Sequence, residues 1–93
     1  MARPRIEPTT ELGWRLEQWR EDQRITRDEA STQLGVRPAT YIDWLRGQHP
    51  EWPNLAVIAT VLGVSAGEVF EWITVAADRT RAMGVYVASW LAA

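Results

Sequence analysis

The sequence predicts an all-α fold of five short helices. Two capping boxes mark helix starts, one at Thr26 with Glu29 and one at Ser65 with Glu68. Apolar residues between such signals recur at three- and four-residue spacing, which is typical of a helix with one buried face. At 93 residues, the chain has the length of a single domain with a modest core.

The chain is expected to begin with a flexible arm, because residues 1–9 contain Pro4 and Pro8 and show no apolar periodicity. The next segment predicts a first helix that starts at Thr10 and ends near Gln23. Its apolar stripe consists of Leu12, Leu16 and Trp19.

The second and third helices form the most informative stretch. The second is predicted to begin at Arg27 and to end at Gly35, which can adopt the left-handed conformation of a helix end. The third should begin at Pro38, whose fixed backbone angle suits a first helical position, and should close at Gly47. Its apolar face consists of Tyr41, Trp44 and Leu45. Two short helices joined by such a turn make a helix-turn-helix, whose second helix commonly enters a DNA major groove.

Two further helices follow a loop predicted over residues 48–54, which contains Pro50 and Pro53. The fourth helix should end at Gly63, and the fifth should start after Ser65. The apolar residues of the fourth helix are Leu55, Ile58, Ala59 and Leu62. Those available in the fifth helix to close the core are Val69, Phe70, Trp72 and Ile73.

The composition argues against an enzyme, a metal site or a bound cofactor. The chain has no cysteine, which removes thiolate catalysis and thiolate ligands, and His49 is its single histidine. No apolar run reaches about 18 residues, and the N-terminal arginines precede no apolar stretch. These observations predict a cytoplasmic protein.

The charge is unusual for a DNA-binding domain. Ten basic residues against 12 acidic residues give a net charge of −2, whereas nucleic-acid-binding domains are generally basic. All the cations are arginines, and eight of them lie within residues 1–50. Any basic surface should therefore be local to the helix-turn-helix.

Residues 12–70 resemble the lambda Cro and repressor type of helix-turn-helix, also called the XRE family. The resemblance lies in the order LGWRLEQWRED, ITRDEASTQLGV, TYIDWLRG, HPEWPN and LAVIATVLGVSAGEVF. It implies a five-helix DNA-binding domain, here residues 10–70, and generally a dimeric transcriptional regulator. The expected function is therefore a sequence-specific, repressor-like regulator that binds double-stranded DNA.

The resemblance also indicates which positions should contact DNA. Arg27 replaces a glutamine that often contacts phosphate, and Leu45 replaces a glutamate that often pairs with the first-helix arginine, so Arg20 is expected to be available for phosphate. Arg24 stands where a glycine often ends the first helix. The predicted DNA-binding residues are Arg20, Arg27, Arg37, Pro38, Ala39, Thr40, Ile42, Asp43, Arg46 and Gln48.

The residues themselves suggest how this surface would act. Arg27 and Arg37 stand at helix starts and form either a phosphate clamp or two solvated arginines. Ala39 and Ile42 could contact thymine methyl groups, and Asp43 could accept from cytosine. Tyr41 and Trp44 could stack on bases, but their spacing favours the core.

A C-terminal extension, residues 71–93, is predicted to be helical and to form a homodimer. Its last twelve residues are uncharged, which would leave an exposed apolar patch on a monomer. The predicted dimerisation residues are Ile73, Ala76, Met83, Val87 and Trp90, which together with Val69 and Thr80 recur at alternating four- and three-residue steps. In the alternative, the segment folds back over its own five helices.

A second function is compatible with the same sequence. A helix-turn-helix scaffold with an acidic net charge could instead bind a protein and antagonise another regulator. Tryptophan is a favoured anchor of protein interfaces. The tryptophans without an evident place in a small core are Trp14, Trp52, Trp72 and Trp90.

Overall fold

A computed structural model describes residues 6–76 of the chain. Within this range the fold consists of five α-helices, and the one β-type pairing is an isolated bridge between Thr10 and Ala76. The helices are α1 (Glu11–Gln23), α2 (Arg27–Gln33), α3 (Pro38–Leu45), α4 (Trp52–Leu62) and α5 (Ala66–Thr74). The predicted all-α, five-helix fold is therefore confirmed.

The predicted capping boxes are present. Thr26 accepts a hydrogen bond from the amide of Glu29, and Glu29 accepts one from the amide of Thr26, both at 3.1 Å. Ser65 and Glu68 pair in the same way at the start of α5. Each box satisfies two amides that the helix itself cannot bond.

The core lies where the apolar stripes of the five helices meet. Its buried apolar residues are Leu12, Leu16, Ala30, Leu34, Tyr41, Trp44, Leu45, Leu55, Ile58, Ala59, Val69 and Ile73. Trp19, Leu62 and Trp72 pack against this cluster while remaining partly exposed. The predicted stripes of α1, α3 and α4 are thus confirmed, and the core interpretation of Tyr41 and Trp44 is correct.

Two details of the second half differ from the prediction. The loop expected to extend to Asn54 ends earlier, because α4 begins at Trp52 with Pro53 in its first turn, where a missing amide hydrogen costs no helical bond. Phe70 is 55% exposed and does not close the core. Its neighbour Val69 takes the inward position, and adjacent helical positions point about 100° apart.

Both ends of the described chain contact the domain. The amide of Thr9 donates to the carbonyl of Leu45 at 3.1 Å, and the amide of Glu11 donates to the carbonyl of Val75 at 2.8 Å. Thr9 of the predicted arm thus contacts the end of α3, Ile6 packs against the core, and α5 continues past residue 70 to Thr74. The domain boundaries assigned from the sequence stay predictions.

Gly13 allows α1 and α3 to approach closely. A Cβ atom at this position would lie 3.3 Å from the Cα and carbonyl oxygen of Leu45 and 3.0 Å from the Cβ of Pro8. Backbone atoms cannot move aside cheaply, so a larger residue would push the third helix away from the first.

Within residues 6–76, no single helix combines the length and the apolar character needed to cross a bilayer. Helices α4 and α5 meet that condition only when counted together, across a bend of 111°.

Helix α1 ends on a strained residue. Arg24 has φ 56° and ψ 43°, the left-handed region that side chains other than glycine rarely adopt. Its amide donates to the carbonyl of Glu21, and the amide of Ile25 donates to the carbonyl of Arg20. These two bonds form the helix-ending motif in which glycine is usual.

Arg24→Gly should stabilise the protein by about 0.5–1 kcal/mol. Relief of the left-handed strain, about 1–2 kcal/mol, exceeds the entropy that glycine adds to the unfolded chain. Urea unfolding followed by tryptophan fluorescence measures the change. The matched control is Gln23→Gly, one residue earlier in right-handed helix, which should destabilise by about 0.5–1 kcal/mol. Equal losses in both variants would contradict the strain at Arg24.

Candidate nucleic-acid interface

The turn between α2 and α3 is fixed by backbone hydrogen bonds. The amide of Gly35 donates to the carbonyl of Thr32 at 3.1 Å, and the amide of Val36 donates to the carbonyl of Ser31 at 2.9 Å. This pattern requires a left-handed residue, and Gly35 provides it with φ 72°. Val36 then packs against the core. The sequence therefore dictates this turn locally.

Helix α3 begins with Arg37 in an extended conformation and Pro38 at the first helical position. No side chain caps this start, so amide donors remain there for another partner, which water can be. The helix has eight residues and ends at Leu45. Gly47, with φ 105°, then turns the chain away from the helix.

Helix α3 has one buried face and one solvent face. Tyr41, Trp44 and Leu45 form the buried face, each at most 3% exposed. Every α3 residue predicted to contact DNA lies outside that face. Arg37, Pro38, Ala39, Arg46 and Gln48 are exposed, and Thr40, Ile42 and Asp43 are partly exposed. The structure thus places these eight residues outside the buried face of α3 or at its two ends.

Three exposed arginines around this surface have unpaired side chains. Arg24, Arg37 and Arg46 make no side-chain hydrogen bond or ion pair within the part of the chain that the structure describes. Acidic side chains lie at the start of α2, where Asp28 and Glu29 are exposed. The local charge is therefore mixed, with the unpaired cations at the two ends of α3 and the end of α1.

Glu17 occupies the centre of a polar cluster that joins three helices. Its carboxylate, on α1, accepts hydrogen bonds from Arg20 at 2.8 and 3.2 Å and from the Tyr41 hydroxyl at 2.9 Å. Arg27, the first residue of α2, approaches the same carboxylate at 3.4 Å with both Nε and Nη2. Glu17 is only 8% exposed, so these donors replace the water that burial removes.

This cluster corrects the expectation for Arg20. The sequence comparison with the family predicted an arginine without its usual partner, because Leu45 replaces the glutamate. Glu17 takes that role from within the first helix itself, and Arg20 also donates to the carbonyl of Ile25 at 2.9 Å. Arg20 is therefore engaged in the structure and not free for phosphate.

Arg27 lies between the two interpretations offered by the sequence. It is not a solvated arginine, because its guanidinium pairs with Glu17 and its side chain is 18% exposed. The phosphate clamp with Arg37 stays a prediction. Arg37, by contrast, is exposed.

The ionisation states in this cluster follow from its contacts. Burial by itself would raise the pKa of Glu17, but the hydrogen bonds from Arg20, Arg27 and Tyr41 outweigh burial and hold this pKa below its ordinary value. The hydrogen bond to Glu17 raises the pKa of Arg20. Burial and the adjacent carboxylate raise the pKa of Tyr41, so its phenol stays protonated and donates.

Sequence reasoning missed Glu17 and the polar role of Tyr41. One local signal was available, since Glu17 and Arg20 are three residues apart on one helix, a spacing that favours ion pairs. Nothing local connects Tyr41 to Glu17, because 24 positions separate them. The contact depends on how α1 and α3 pack.

The predicted dimerisation residues divide into three groups. Ile73 is 6% exposed and lies in the domain core, so its side chain is not available for contact with a second chain. Ala76 is exposed but follows Val75, whose extended conformation ends α5. The helical seam therefore does not pass through Ala76. Met83, Val87 and Trp90 lie outside the described residues.

The tryptophans differ in their surroundings. Trp52 is 69% exposed at the start of α4, while Trp14 and Trp72 are partly buried. The guanidinium of Arg15 lies 4.7 Å from the ring centre of Trp72 and pairs with Glu11 at 2.9 Å. Trp52 is thus the most exposed tryptophan of the described chain, and Trp90 lies outside that range.

No group of three or more histidine, cysteine, aspartate or glutamate side chains within residues 6–76 is arranged to hold a metal ion.

Comparison with known families gives one match. A family model described as a helix-turn-helix domain matches residues 11–72, from the first residue of α1 into α5. This match is consistent with the resemblance to the lambda Cro and repressor type. No curated protein and no solved structure matches the chain.

Acid should destabilise the protein through Glu17. Its carboxyl binds a proton more weakly when folded than in the unfolded chain, where the pKa is about 4.3. This stabilisation is complete above the unfolded value and is lost as the pH falls through the folded value. The free energy of unfolding, measured with urea, should therefore decrease as the pH falls below about 4.

The variant Glu17→Gln tests this assignment. It should lower the free energy of unfolding at neutral pH by about 1–3 kcal/mol, because two guanidinium groups lose their counter-charge. It should also reduce the loss of unfolding free energy that the wild type shows as the pH falls below about 4. The control Glu21→Gln removes a carboxylate that is 65% exposed and lies 3.9 Å from Arg20. An exposed ion pair of this kind contributes little, so both quantities should stay nearly unchanged. An acid dependence of Glu17→Gln as steep as the wild type's would contradict the role of Glu17.

Proposed function

Because the chain belongs to the helix-turn-helix domain family, we propose that it is a sequence-specific, repressor-like transcriptional regulator. In this proposal it binds double-stranded DNA as a homodimer in the cytoplasm, without a cofactor and without enzymatic activity. The observation that carries the proposal is the solvent face of α3. The turn at Gly35 and the buried face of α3 together hold that side outward, as a recognition helix requires.

Phosphate contacts in this proposal come from the exposed arginines. Arg37 and Arg46 flank α3 and have no competing partner among the described residues. Gln48 is exposed just beyond α3 and can donate to a phosphate oxygen. Arginine suits this task because its planar guanidinium can bond a phosphate with two parallel N–H groups.

Base contacts would come from the middle of α3. Ala39 and Ile42 present methyl groups suited to the thymine methyl, and Asp43 can accept from the cytosine amino group. Thr40 is partly exposed between them and can donate or accept. Such a surface reads few bases directly, so we propose modest direct readout and a large contribution from backbone contacts.

A dimer would set the spacing of the binding site. Two recognition helices related by a two-fold axis contact half-sites about one DNA turn apart, or a multiple of it. With Ile73 in the core and Ala76 beyond the end of α5, the proposed dimer contacts come from Met83, Val87 and Trp90. The fold-back of this segment over its own domain is the competing arrangement.

A protein-binding module is the alternative function, and one surface favours it. Helix α4 contains no charged residue, and Trp52 and Val57 on it are 69% and 40% exposed. Exposed tryptophan on an uncharged face is typical of a protein-interaction site. A failure of DNA binding would favour this second function.

The DNA proposal predicts that the protein enriches a pseudo-palindromic duplex from a random pool, with affinity that falls steeply as salt is added. Arg37→Ala should weaken binding. A loss that is uniform across sequences indicates phosphate contact, and a loss of about 1–3 kcal/mol at one position of the site indicates base contact. Fluorescence anisotropy with labelled duplexes measures both.

The control for this series is Arg15→Gln, which removes one positive charge beside Glu11 and Trp72. It should reduce affinity far less than Arg37→Ala, because Arg15 lies away from α3. If the wild type enriches no duplex and shows no affinity at low salt, the DNA proposal is wrong. If the two variants bind equally, Arg37 is not part of the interface.

The dimer proposal predicts a two-chain species in sedimentation at micromolar concentration. Trp90→Asp should dissociate it, since a charge in an apolar seam is costly to bury. Trp52→Asp, which changes a tryptophan exposed on α4, should leave it intact. A wild-type monomer would instead support the fold-back arrangement, and dissociation by Trp52→Asp alone would locate the interface on α4.

A further inference from the structure

The Glu17 cluster links α2 and α3, the two helices of the helix-turn-helix, to one buried carboxylate on α1. Glu17 belongs to α1, Arg27 opens α2, and Tyr41 lies in the middle of α3. A single carboxylate therefore contacts side chains from α1, α2 and α3.

Tyr41 determines how α3 sits on the domain. Its ring is completely buried, and its hydroxyl donates to Glu17 at 2.9 Å. Thr40 and Ile42, on either side of Tyr41 in sequence, face partly outward. Any rotation or sliding of α3 that moved these outward residues would also break the hydroxyl bond, because one rigid helix carries both.

The two guanidinium groups are held unequally. Arg20 pairs with Glu17 at 2.8 Å, and it also lies 3.9 Å from the exposed carboxylate of Glu21. Arg27 lies farther from Glu17, at 3.4 Å, and has no second acidic partner among the residues that the structure describes. Its side chain remains 18% exposed, so Arg27 is the cation of the two that is better placed to contact a phosphate.

We propose that Glu17 is a positioning residue for DNA recognition, which orients α3 through Tyr41 and holds the guanidinium of Arg27 ready for one backbone phosphate. This inference rests on the proposed function and deepens it. Glu17 itself, an anion buried behind the interface, does not touch DNA. Its effect on binding passes through Tyr41 and Arg27.

The proposal predicts an effect opposite in sign to simple electrostatics. Removing a negative charge ordinarily strengthens binding to DNA, because the duplex is a polyanion. Glu17→Gln should nevertheless weaken binding to the duplex that the wild type selects. The matched control is Glu21→Gln, which removes the same charge from an exposed position on the same helix and should bind equally or more tightly.

The experiment compares two probes at several salt concentrations, the selected duplex and a shuffled duplex of the same composition. Circular dichroism establishes that each variant is folded at the temperature used. Glu17→Gln should lower the ratio of specific to non-specific affinity, and its salt dependence should weaken by up to about one phosphate contact. A purely structural role would change neither quantity in the folded protein.

A second variant covers the case in which Glu17→Gln does not fold. Tyr41→Phe keeps the buried ring and removes one hydrogen bond, so it should lower affinity for the selected duplex by about three- to tenfold. Its affinity for the shuffled duplex should stay close to that of the wild type. Binding by Tyr41→Phe that equals the wild type on both probes would overturn the orienting role of the cluster.

The remaining outcomes separate the two proposals. If the wild type selects a duplex but Glu17→Gln binds it as tightly as Glu21→Gln does, the positioning role is wrong and the DNA-binding function stands. If the wild type selects no duplex, both proposals fall together.

Discussion

The architecture of the helix-turn-helix depends on the burial of one carboxylate. A buried anion is costly unless its oxygen atoms are bonded, and Glu17 is satisfied by Arg20, Arg27 and Tyr41. These donors come from three helices, so the cost of exposing or unpairing Glu17 opposes any shift of one helix against another. The polar cluster thus adds directional restraint to an apolar core, whose packing alone specifies orientation less sharply.

A chain with a net charge of −2 can still present unpaired cations near α3, because only some of its arginines belong to the Glu17 cluster. Arg20 pairs with Glu17 and donates to the carbonyl of Ile25 within the domain. Arg24, Arg37 and Arg46 have no such partner among residues 6–76. Because exposed charges act over about one Debye length, the arrangement of these three side chains matters more for an approaching phosphate than the total charge.

The solvent face of α3 carries few groups that can make paired hydrogen bonds to bases. Pro38, Ala39 and Ile42 offer shape and methyl groups rather than paired hydrogen bonds. A surface of this kind depends on accurate placement, because apolar contacts lose their energy within about an ångström.

The sequence by itself determined the local structure. The capping boxes at Thr26 and Ser65 and the left-handed glycine at Gly35 fixed helix ends, since their hydrogen bonds span only three to five residues. It also identified the side of α3 that faces the core. Tertiary structure alone decided the contacts of Arg27 and Tyr41 with Glu17 and the outward position of Phe70. Glu17 and Tyr41 meet across 24 positions, and no local propensity encodes a contact that exists only after α1 and α3 have packed together.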